Sequence, residues 1–369
     1  MSDEGTFTLS ELSKVARDER NGRLRFRVWT TVNAVALLVL AGWVLMPDST
    51  GSDMKPIDGR AAAAAAMDVA APPTKAEILA IEGVRFGLSA PQVPYSTTEL
   101  DRIGTAAGTL PTLLQYFVKW SEELRPESIE LSYAQNAVPV VSWEPWAGSE
   151  AGEDQPEYAL ARIASGAHDD YVREFATTIR DARYPVALRF AHEMNGAWYP
   201  WSERRSGNAP GDYVKAWRHV HDVFREVGAT NVIWVWSPNI LRPVPNVSIE
   251  ALYPGDEYVD WAGFVGYAVH ETTAAAVFAP TVAAIRKFTN KPLLITETGV
   301  LPSDRKAGWI TDFFAWLPTQ EGLVGFVWFE FSKDEGGTED WRFSVDSRYA
   351  AAFKEGMAKL TPAAPPLGF

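Results

Sequence analysis

The chain of 369 residues contains no cysteine. This absence excludes a disulfide framework, a thiolate metal site and a cysteine nucleophile. Positive charge is also scarce, because 34 Lys and Arg residues stand against 47 Asp and Glu residues and give a net charge of -13. A nucleic-acid partner needs clustered Lys and Arg to neutralise phosphates, so we expect none here. The charge balance favours an uncharged substrate.

The composition is that of a globular protein, with 47% hydrophobic and 22% charged residues. Its most unusual feature is tryptophan, which occurs 15 times, often near the ends of predicted strands. The flat indole face stacks on the apolar C–H face of a pyranose ring, so this distribution suits sugar binding. The same residues would equally fill a large core, and composition does not choose between the two interpretations.

A basic segment precedes the one long apolar run of the sequence, at 28–46. A run of this length can cross a bilayer as one helix, and the basic flank predicts a cytoplasmic N-terminus with the remainder of the chain outside the cell membrane. The alternative is a cleaved signal peptide, for which the alanines at 61–66 offer small residues, although they lie well beyond the apolar run. The predicted segments are a basic N-terminus at 1–27, a signal anchor at 28–46, a disordered linker at 47–80 and a folded domain at 81–369.

Eight apolar runs alternate with amphipathic segments from residue 84 onward. Nearly continuous apolar runs are typical of parallel strands covered on both faces, and regular β–α alternation predicts crossover helices. Eight such units predict an α/β fold of the (β/α)8 TIM-barrel type, and no G-x-G-x-x-G motif follows the first run, which disfavours a dinucleotide site. The predicted strands are 84–90, 112–120, 138–146, 185–195, 232–239, 260–268, 292–299 and 323–332; the clearest helical segments are 169–183, 213–227 and 274–288.

The fourth predicted strand ends in a His-Glu pair, His192 and Glu193, followed by three large aromatic residues at 198–201. A zinc site of the H-E-x-x-H type is excluded, because Gly196 stands where the second histidine would be. Barrel chemistry lies at the carboxyl ends of the strands. Burial among aromatic rings raises the pKa of a glutamate, which suits a general acid.

The seventh predicted strand carries a second carboxyl, Glu297, between two threonines whose hydroxyls can keep it ionised. One protonated and one ionised carboxyl form the working pair of a glycosidase, retaining at a separation of about 5–5.5 Å and inverting at about 6.5–9.5 Å. Glu144 and Glu330 also lie at predicted strand ends, and on this criterion alone they compete with the other two.

The string R-F-A-H-E-M-N-G-A-W-Y-P-W at 189–201 closely resembles glycoside hydrolase family 26, whose members are mostly endo-β-1,4-mannanases with some lichenases and xylanases. The segments V-V-S-W-E-P-W at 140–146 and I-A-S-G-A-H-D-D-Y at 163–171 support the resemblance, which covers roughly residues 84 to 345. It implies that Glu193 is the acid/base and Glu297 the nucleophile, in preference to Glu144 and Glu330.

The resemblance also implies roles for the residues around this pair. His192 would lie near the −1 sugar, the ring on the glycone side of the bond to be cleaved, and would hold the acid in place. Tyr267 would donate a hydrogen bond to the nucleophile, and Trp328 would be the platform beneath the −1 sugar. Further residues expected at the site are Trp198, Trp201, Trp143 and Trp146 as walls of flanking subsites, and Arg189, whose burial would require a carboxylate partner.

The leading functional hypothesis is a retaining endo-hydrolase of β-1,4-mannan or a related β-glycan, acting by double displacement without metal or cofactor. The alternative is a membrane-tethered protein that binds or assembles polysaccharide with little turnover. Net transglycosylation would share the covalent intermediate of the leading hypothesis. We expect a monomer whose partners are a β-linked polysaccharide and, through 28–46, the membrane.

Overall fold

The structure is a computed structural model that describes residues 71–203, 205–241, 247–271 and 273–368. The predicted basic N-terminus, the predicted anchor and most of the predicted linker lie outside these residues. Within the described ranges, every helix is too short or too polar to cross a bilayer.

Eight parallel strands close into a barrel in chain order, and β1 pairs with both β2 and β8. Each strand lies within one of the predicted runs, except that β7 ends one residue later, at Val300, so the predicted (β/α)8 architecture is confirmed. The strands are β1 (Arg85–Ser89), β2 (Leu113–Lys119), β3 (Val138–Glu144), β4 (Val186–Phe190), β5 (Val232–Trp236), β6 (Trp261–Ala268), β7 (Leu293–Val300) and β8 (Leu323–Phe329).

Helices surround the barrel and cover the outer faces of the strands. Their bounds are α1 (Lys75–Ala80), α2 (Thr97–Ala107), α3 (Pro126–Ala134), α4 (Leu160–Ala164), α5 (Asp169–Ala182), α6 (Asp212–Val227), α7 (Ala274–Ile285), α8 (Lys306–Trp316) and α9 (Ser347–Met357). Between β5 and β6 the described residues form two short 3-10 turns, Glu250–Leu252 and Asp256–Tyr258.

Helix α5 shows why the periodic segments fold as helices. Val172, Phe175 and Ile179 recur at helical spacing and are all buried, so one stripe of the helix faces the strands. The helix ends where Arg183 adopts a left-handed conformation. Helix α6 ends in the same way at Gly228, whose φ of 82° suits a residue without Cβ.

The predicted end of the linker, at residue 80, is too late. Residues Lys75–Ala80 form helix α1, which begins with a capping box between Thr74 and Glu77. Its Ile78 is fully buried, and the buried Arg85 side chain donates hydrogen bonds to the carbonyls of Ile78 (2.7 Å) and Ile81 (2.9 Å). The alanine- and proline-rich composition of this region suggests a linker, but its last six residues form a helix that packs against the start of β1.

Candidate active site

Glu193 lies just beyond the carboxyl end of β4, where the chain leaves extended geometry. Ala191 and Glu193 both have positive φ values, 45° and 54°. For residues with a Cβ atom, such a conformation costs about 1–2 kcal/mol each. Neighbouring strands hold it in place, since the backbone N–H of Ala191 donates to Trp143 and that of Glu193 donates to Ser237 (2.7 Å). The turn directs the Glu193 side chain into the mouth of the barrel.

The carboxyl of Glu193 is buried and accepts two hydrogen bonds, from the indole N–H of Trp198 (2.9 Å) and from the side-chain amide of Asn239. Burial and, to a smaller extent, the negative charge of Glu297 raise the pKa of Glu193 to about 7, although Arg189 and the two hydrogen bonds oppose the rise. A carboxyl with this pKa is partly protonated near neutral pH. It can therefore donate a proton and later accept one.

Glu297 lies within β7, at an irregularity in the pairing of the strands. Opposite β6 the register passes from Ile295 directly to Glu297, so Thr296 is an extra residue in the ladder. A bulge of this kind re-aims the following side chain. Glu297 thereby points to Arg189 and Tyr267, and it accepts hydrogen bonds from the Arg189 guanidinium and from the Tyr267 hydroxyl (2.8 Å).

Arg189 is fully buried inside the barrel, and the carboxylate partner that its burial predicts is Glu297. The guanidinium also donates to the hydroxyls of Ser142 (2.9 Å) and Ser237 (3.1 Å). Ser237 in turn shares a hydrogen bond of 2.6 Å with Thr296. These contacts join β3, β4, β5 and β7 beneath the two glutamates and fix the orientation of Glu297.

His192 is buried beside the pair, as its place in the sequence suggests. Its ring packs edge-on against Tyr199, with centroids 5.0 Å apart. Nε2 lies 3.9 Å from the Glu144 carboxyl, and Nδ1 has no hydrogen-bond partner among the described residues. Burial lowers the pKa of His192 well below its usual value, so the ring is neutral and can both donate and accept a hydrogen bond.

The two competing glutamates occupy different surroundings. Glu144 lies at the mouth, where Trp146 donates to it (3.1 Å) and burial raises its pKa to about 7. Glu330 instead accepts the backbone N–H groups of Phe343 and Ser344, both at 2.9 Å. Glu330 thus braces the loop between β8 and α9.

The tryptophans expected to line the site divide into two groups. Trp198 is half-buried and bonded to Glu193, and Trp146 is half-buried and bonded to Glu144. Trp143, Trp201 and Trp328 are instead fully buried and belong to the hydrophobic core, as do Trp217, Trp236 and Trp261.

The expectation that Trp328 is a sugar platform is therefore wrong. Its ring packs between α8 and α9, with Phe353 at 5.3 Å and Phe313 at 6.3 Å between centroids, and its N–H donates to the Trp341 carbonyl. Side chains alternate along a strand, so the next residue, Phe329, faces the mouth and contacts Tyr267 (6.0 Å).

Trp143 and Trp201 are likewise not subsite walls. Trp143 faces α5 and stacks on Phe175 at 4.3 Å. Trp201 lies under Tyr199, with parallel rings 4.3 Å apart, and donates to the His192 carbonyl (2.6 Å). Trp201 therefore supports the His192 segment from below.

Sequence reasoning missed Asn239, Ser142 and Ser237. Asn239 is the last residue of the fifth predicted strand, so its position at a strand end was the available signal for a partner of Glu193. The two serines could not be identified as partners of the buried arginine without knowing the strand register. Ser142, for example, pairs with Arg189 across β3 and β4. No group of three His, Asp or Glu side chains in the described ranges could hold a metal ion.

A closed parallel barrel with two buried carboxyls at the mouth is the arrangement of barrel glycoside hydrolases. The profile of glycosyl hydrolase family 26 matches residues 137–324, and the chain belongs to this family. It is 30% identical to Endoglucanase H of Acetivibrio thermocellus over 260 residues, which are 66% of this chain and 27% of that protein.

Two further relatives show how varied the similar proteins are. Beta-1,3-xylanase TXYA of a Vibrio species is 29% identical over 140 residues, 38% of this chain and 28% of that protein. The chain thus spans about a quarter of the length of these two curated relatives. The solved structure of a modular endo-β-1,4-mannanase from Cellulomonas fimi has a TM-score of 0.61 at 18% identity and covers 78% of this chain and 75% of that chain, which shows a common fold.

Proposed function

We propose that this chain is a retaining endo-glycosidase that cleaves β-1,4-mannan or a related β-glycan. The observation that carries the proposal is the contrast between the two carboxyls. Glu297 accepts hydrogen bonds from a buried guanidinium and a tyrosine hydroxyl, whereas burial and the neighbouring Glu297 charge raise the pKa of Glu193 to about 7. The two donors hold Glu297 for attack on the anomeric carbon, and Glu193 can supply the proton.

The reaction proceeds in two steps. In the first step, an oxygen of Glu297 bonds to the anomeric carbon, the glycosidic C–O bond breaks, and Glu193 gives its proton to the departing oxygen. In the second step, Glu193 takes a proton from water, the resulting hydroxide bonds to the anomeric carbon, and the bond to Glu297 breaks. The sugar keeps its anomeric configuration, and both glutamates return to their starting states.

Mannan is the first substrate to test, because the Cellulomonas fimi neighbour is described as an endo-β-1,4-mannanase and the chain also resembles a mannan endo-1,4-beta-mannosidase of Bacillus subtilis at 28% identity over 116 residues. Because the chain is also similar to Endoglucanase H and to a beta-1,3-xylanase, glucan and xylan are the alternative substrates. Substrate choice among these depends on a few hydrogen bonds to sugar hydroxyls.

The test is incubation of the full chain with mannan, glucomannan, mixed-linkage glucan and xylan. We expect mannan or glucomannan to be cleaved fastest, with short and intermediate oligosaccharides among the early products, as internal cleavage requires. Release of a single small sugar from the outset would contradict endo action. No cleavage of any polymer would contradict the proposed function.

We also propose that residues 28–46 keep the enzyme on the outer side of the cell membrane, on the strength of the basic flank that precedes them. An antibody against the barrel should detect the full-length chain in the membrane fraction. A shorter chain in the culture medium would instead show that the segment is cleaved.

A further inference from the structure

The two hydrogen-bond donors of Glu193 come from different parts of the chain. Trp198 lies on the loop that follows β4, whereas Asn239 lies just beyond the end of β5. They serve different oxygens of the carboxyl, since Trp198 donates to Oε2 (2.9 Å) and Asn239 donates to Oε1. Donated hydrogen bonds favour the ionised form of a carboxyl over its protonated form. The placement of these two donors therefore bears directly on proton transfer by Glu193.

Asn195, two residues after Glu193, holds Asn239 in place. The Asn195 side chain is buried and bonds twice to the backbone of Asn239. Its Nδ2 donates to the Asn239 carbonyl (2.8 Å), and its Oδ1 accepts the Asn239 N–H (2.7 Å). Two hydrogen bonds to the backbone of one residue fix its position as well as its orientation. The Asn239 amide is thereby directed at the Glu193 carboxyl.

Gly196, the next residue, makes room for the second donor. A Cβ atom at this position would lie 2.6, 2.7 and 2.8 Å from three atoms of the Trp198 indole, which is too close for a non-bonded contact. The indole is rigid, so the whole ring would have to move and carry its N–H with it. The φ of Gly196 is not positive, so the backbone itself does not demand glycine. The feature that requires glycine is the close approach of the Trp198 ring.

We propose that Asn195 and Gly196 are positioning residues for the acid/base, each placing one N–H donor on the Glu193 carboxyl. Asn195 acts through Asn239, and Gly196 acts through Trp198. The donors stabilise the anion that forms when Glu193 gives its proton to the leaving oxygen, and they hold the carboxylate for the second step, in which it takes a proton from water. This inference rests on the proposed function for the role of Glu193.

The pH at which Glu193 ionises reports on these contacts. Among the described residues, the other charged or titratable groups that act on its carboxyl are Glu297, Arg189, Tyr199 and Tyr267. Glu297 raises the pKa of Glu193, whereas Arg189 and the two donors lower it. Loss of either donor should therefore raise this pKa and move the alkaline loss of activity to higher pH.

The first test compares the pH dependence of kcat/KM on polymer for Gly196→Ala, Trp198→Phe and the double variant, all in the full chain. Phenylalanine keeps an aromatic ring at the site but has no N–H. We expect each single variant to move the midpoint of the alkaline loss upward by about one pH unit, which corresponds to a tenfold weaker preference for the anion. Because both substitutions remove the same hydrogen bond, the double variant should move the midpoint no further.

Gly308→Ala is the matched control for Gly196→Ala. Gly308 lies in α8, its φ is also not positive, and a Cβ atom there would meet no atom within 4 Å. This variant should keep the parent profile. Additive shifts in the double variant of Gly196 and Trp198 would show that Gly196 does not act through the indole, and would overturn its proposed role.

Asn195→Ala tests the other donor. It should raise the midpoint, and its effect should add to that of Trp198→Phe, because the two donors bind different oxygens. Asn239→Ala removes the amide directly and leaves the backbone groups that Asn195 holds. Combined with Asn195→Ala, it should produce no further shift. Additive shifts in this pair would contradict an action of Asn195 through Asn239.

A measurement without turnover separates this inference from the proposed function. Infrared difference spectroscopy of the full chain can follow the Glu193 carboxyl against pH, with Glu193→Gln as the blank. We expect a higher midpoint in Gly196→Ala and in Asn195→Ala. A midpoint that does not rise in one of them would overturn the positioning role of that residue, even if the enzyme cleaves polymer normally. Raised midpoints in a chain that cleaves no polymer would leave the positioning roles standing and remove the proposed function.

Discussion

Replacement of Glu297 by Gln is expected to abolish hydrolysis, lowering kcat by roughly 10⁵-fold or more, as loss of a nucleophile does in other enzymes. The amide has almost the shape of the carboxyl but carries no anionic oxygen that could attack the anomeric carbon. The variant should still fold, because Arg189 keeps its hydrogen bonds to Ser142 and Ser237. The measurement is the rate of release of reducing ends from the preferred polymer, with thermal unfolding followed in parallel.

Glu330→Gln is the matched control for this loss. Glu330 is as buried as Glu297, but its oxygens accept backbone N–H groups of Phe343 and Ser344. The same substitution there should lower stability without removing activity. A Glu297→Gln enzyme within about tenfold of the parent rate would exclude Glu297 as the nucleophile.

The covalent step can be observed directly. A glycosyl fluoride with fluorine in place of the 2-hydroxyl forms the intermediate and then hydrolyses slowly, so mass spectrometry of the digested protein should find the label on Glu297. Label on Glu144 would identify that residue, at the end of β3, as the nucleophile. A product of inverted configuration, with no label on either residue, would show that water attacks the sugar directly.

The fold could be predicted from the sequence because its signals are local and repeated. Each parallel strand is a nearly continuous apolar run, and helices such as α5 carry their buried residues at helical spacing. Helix α1 was not predicted although Thr74 and Glu77 form a local capping box, because six residues show too little periodicity to distinguish a helix from the alanine- and proline-rich segment that precedes it. Its stability depends on the side chain of Arg85, which follows it and satisfies the carbonyls of Ile78 and Ile81.

The position of the candidate site could be predicted, but the side chains around it could not all be assigned. Strand ends and the string at 189–201 locate Glu193 and Glu297 without any knowledge of three-dimensional contacts. For Trp328 and Trp143 the decisive fact is which face of the strand they occupy. For Trp328, the pairing irregularities between β7 and β8 also change the parity relative to the neighbouring strand. Register is a property of the closed barrel and is invisible in a single apolar run.

Replacement of Glu193 by Gln should lower the rate on natural polymer about 10²–10⁴-fold, the usual contribution of general acid–base catalysis. The loss should depend on the leaving group. An aryl glycoside whose phenol departs without a proton should still form the covalent intermediate at nearly the parent rate. This intermediate should then accumulate, because its hydrolysis needs Glu193 as a base, and azide should restore turnover as a nucleophile that requires no base.

The pH dependence supplies an independent check on Glu193. Its pKa is raised to about 7, first by burial and then by the charge of Glu297, and the protonated form is the active acid. Activity of the parent enzyme on polymer should therefore fall as the pH rises through about 7. With the aryl glycoside, for which no acid is needed, this alkaline loss should disappear from the glycosylation step.

Glu144, also buried at the mouth with a pKa of about 7, is the residue that could mimic this behaviour. If Glu193 is the acid, the Glu144→Gln enzyme should still lose activity as the pH rises through about 7. If the activity of Glu144→Gln no longer depends on pH in this range, the acid is Glu144.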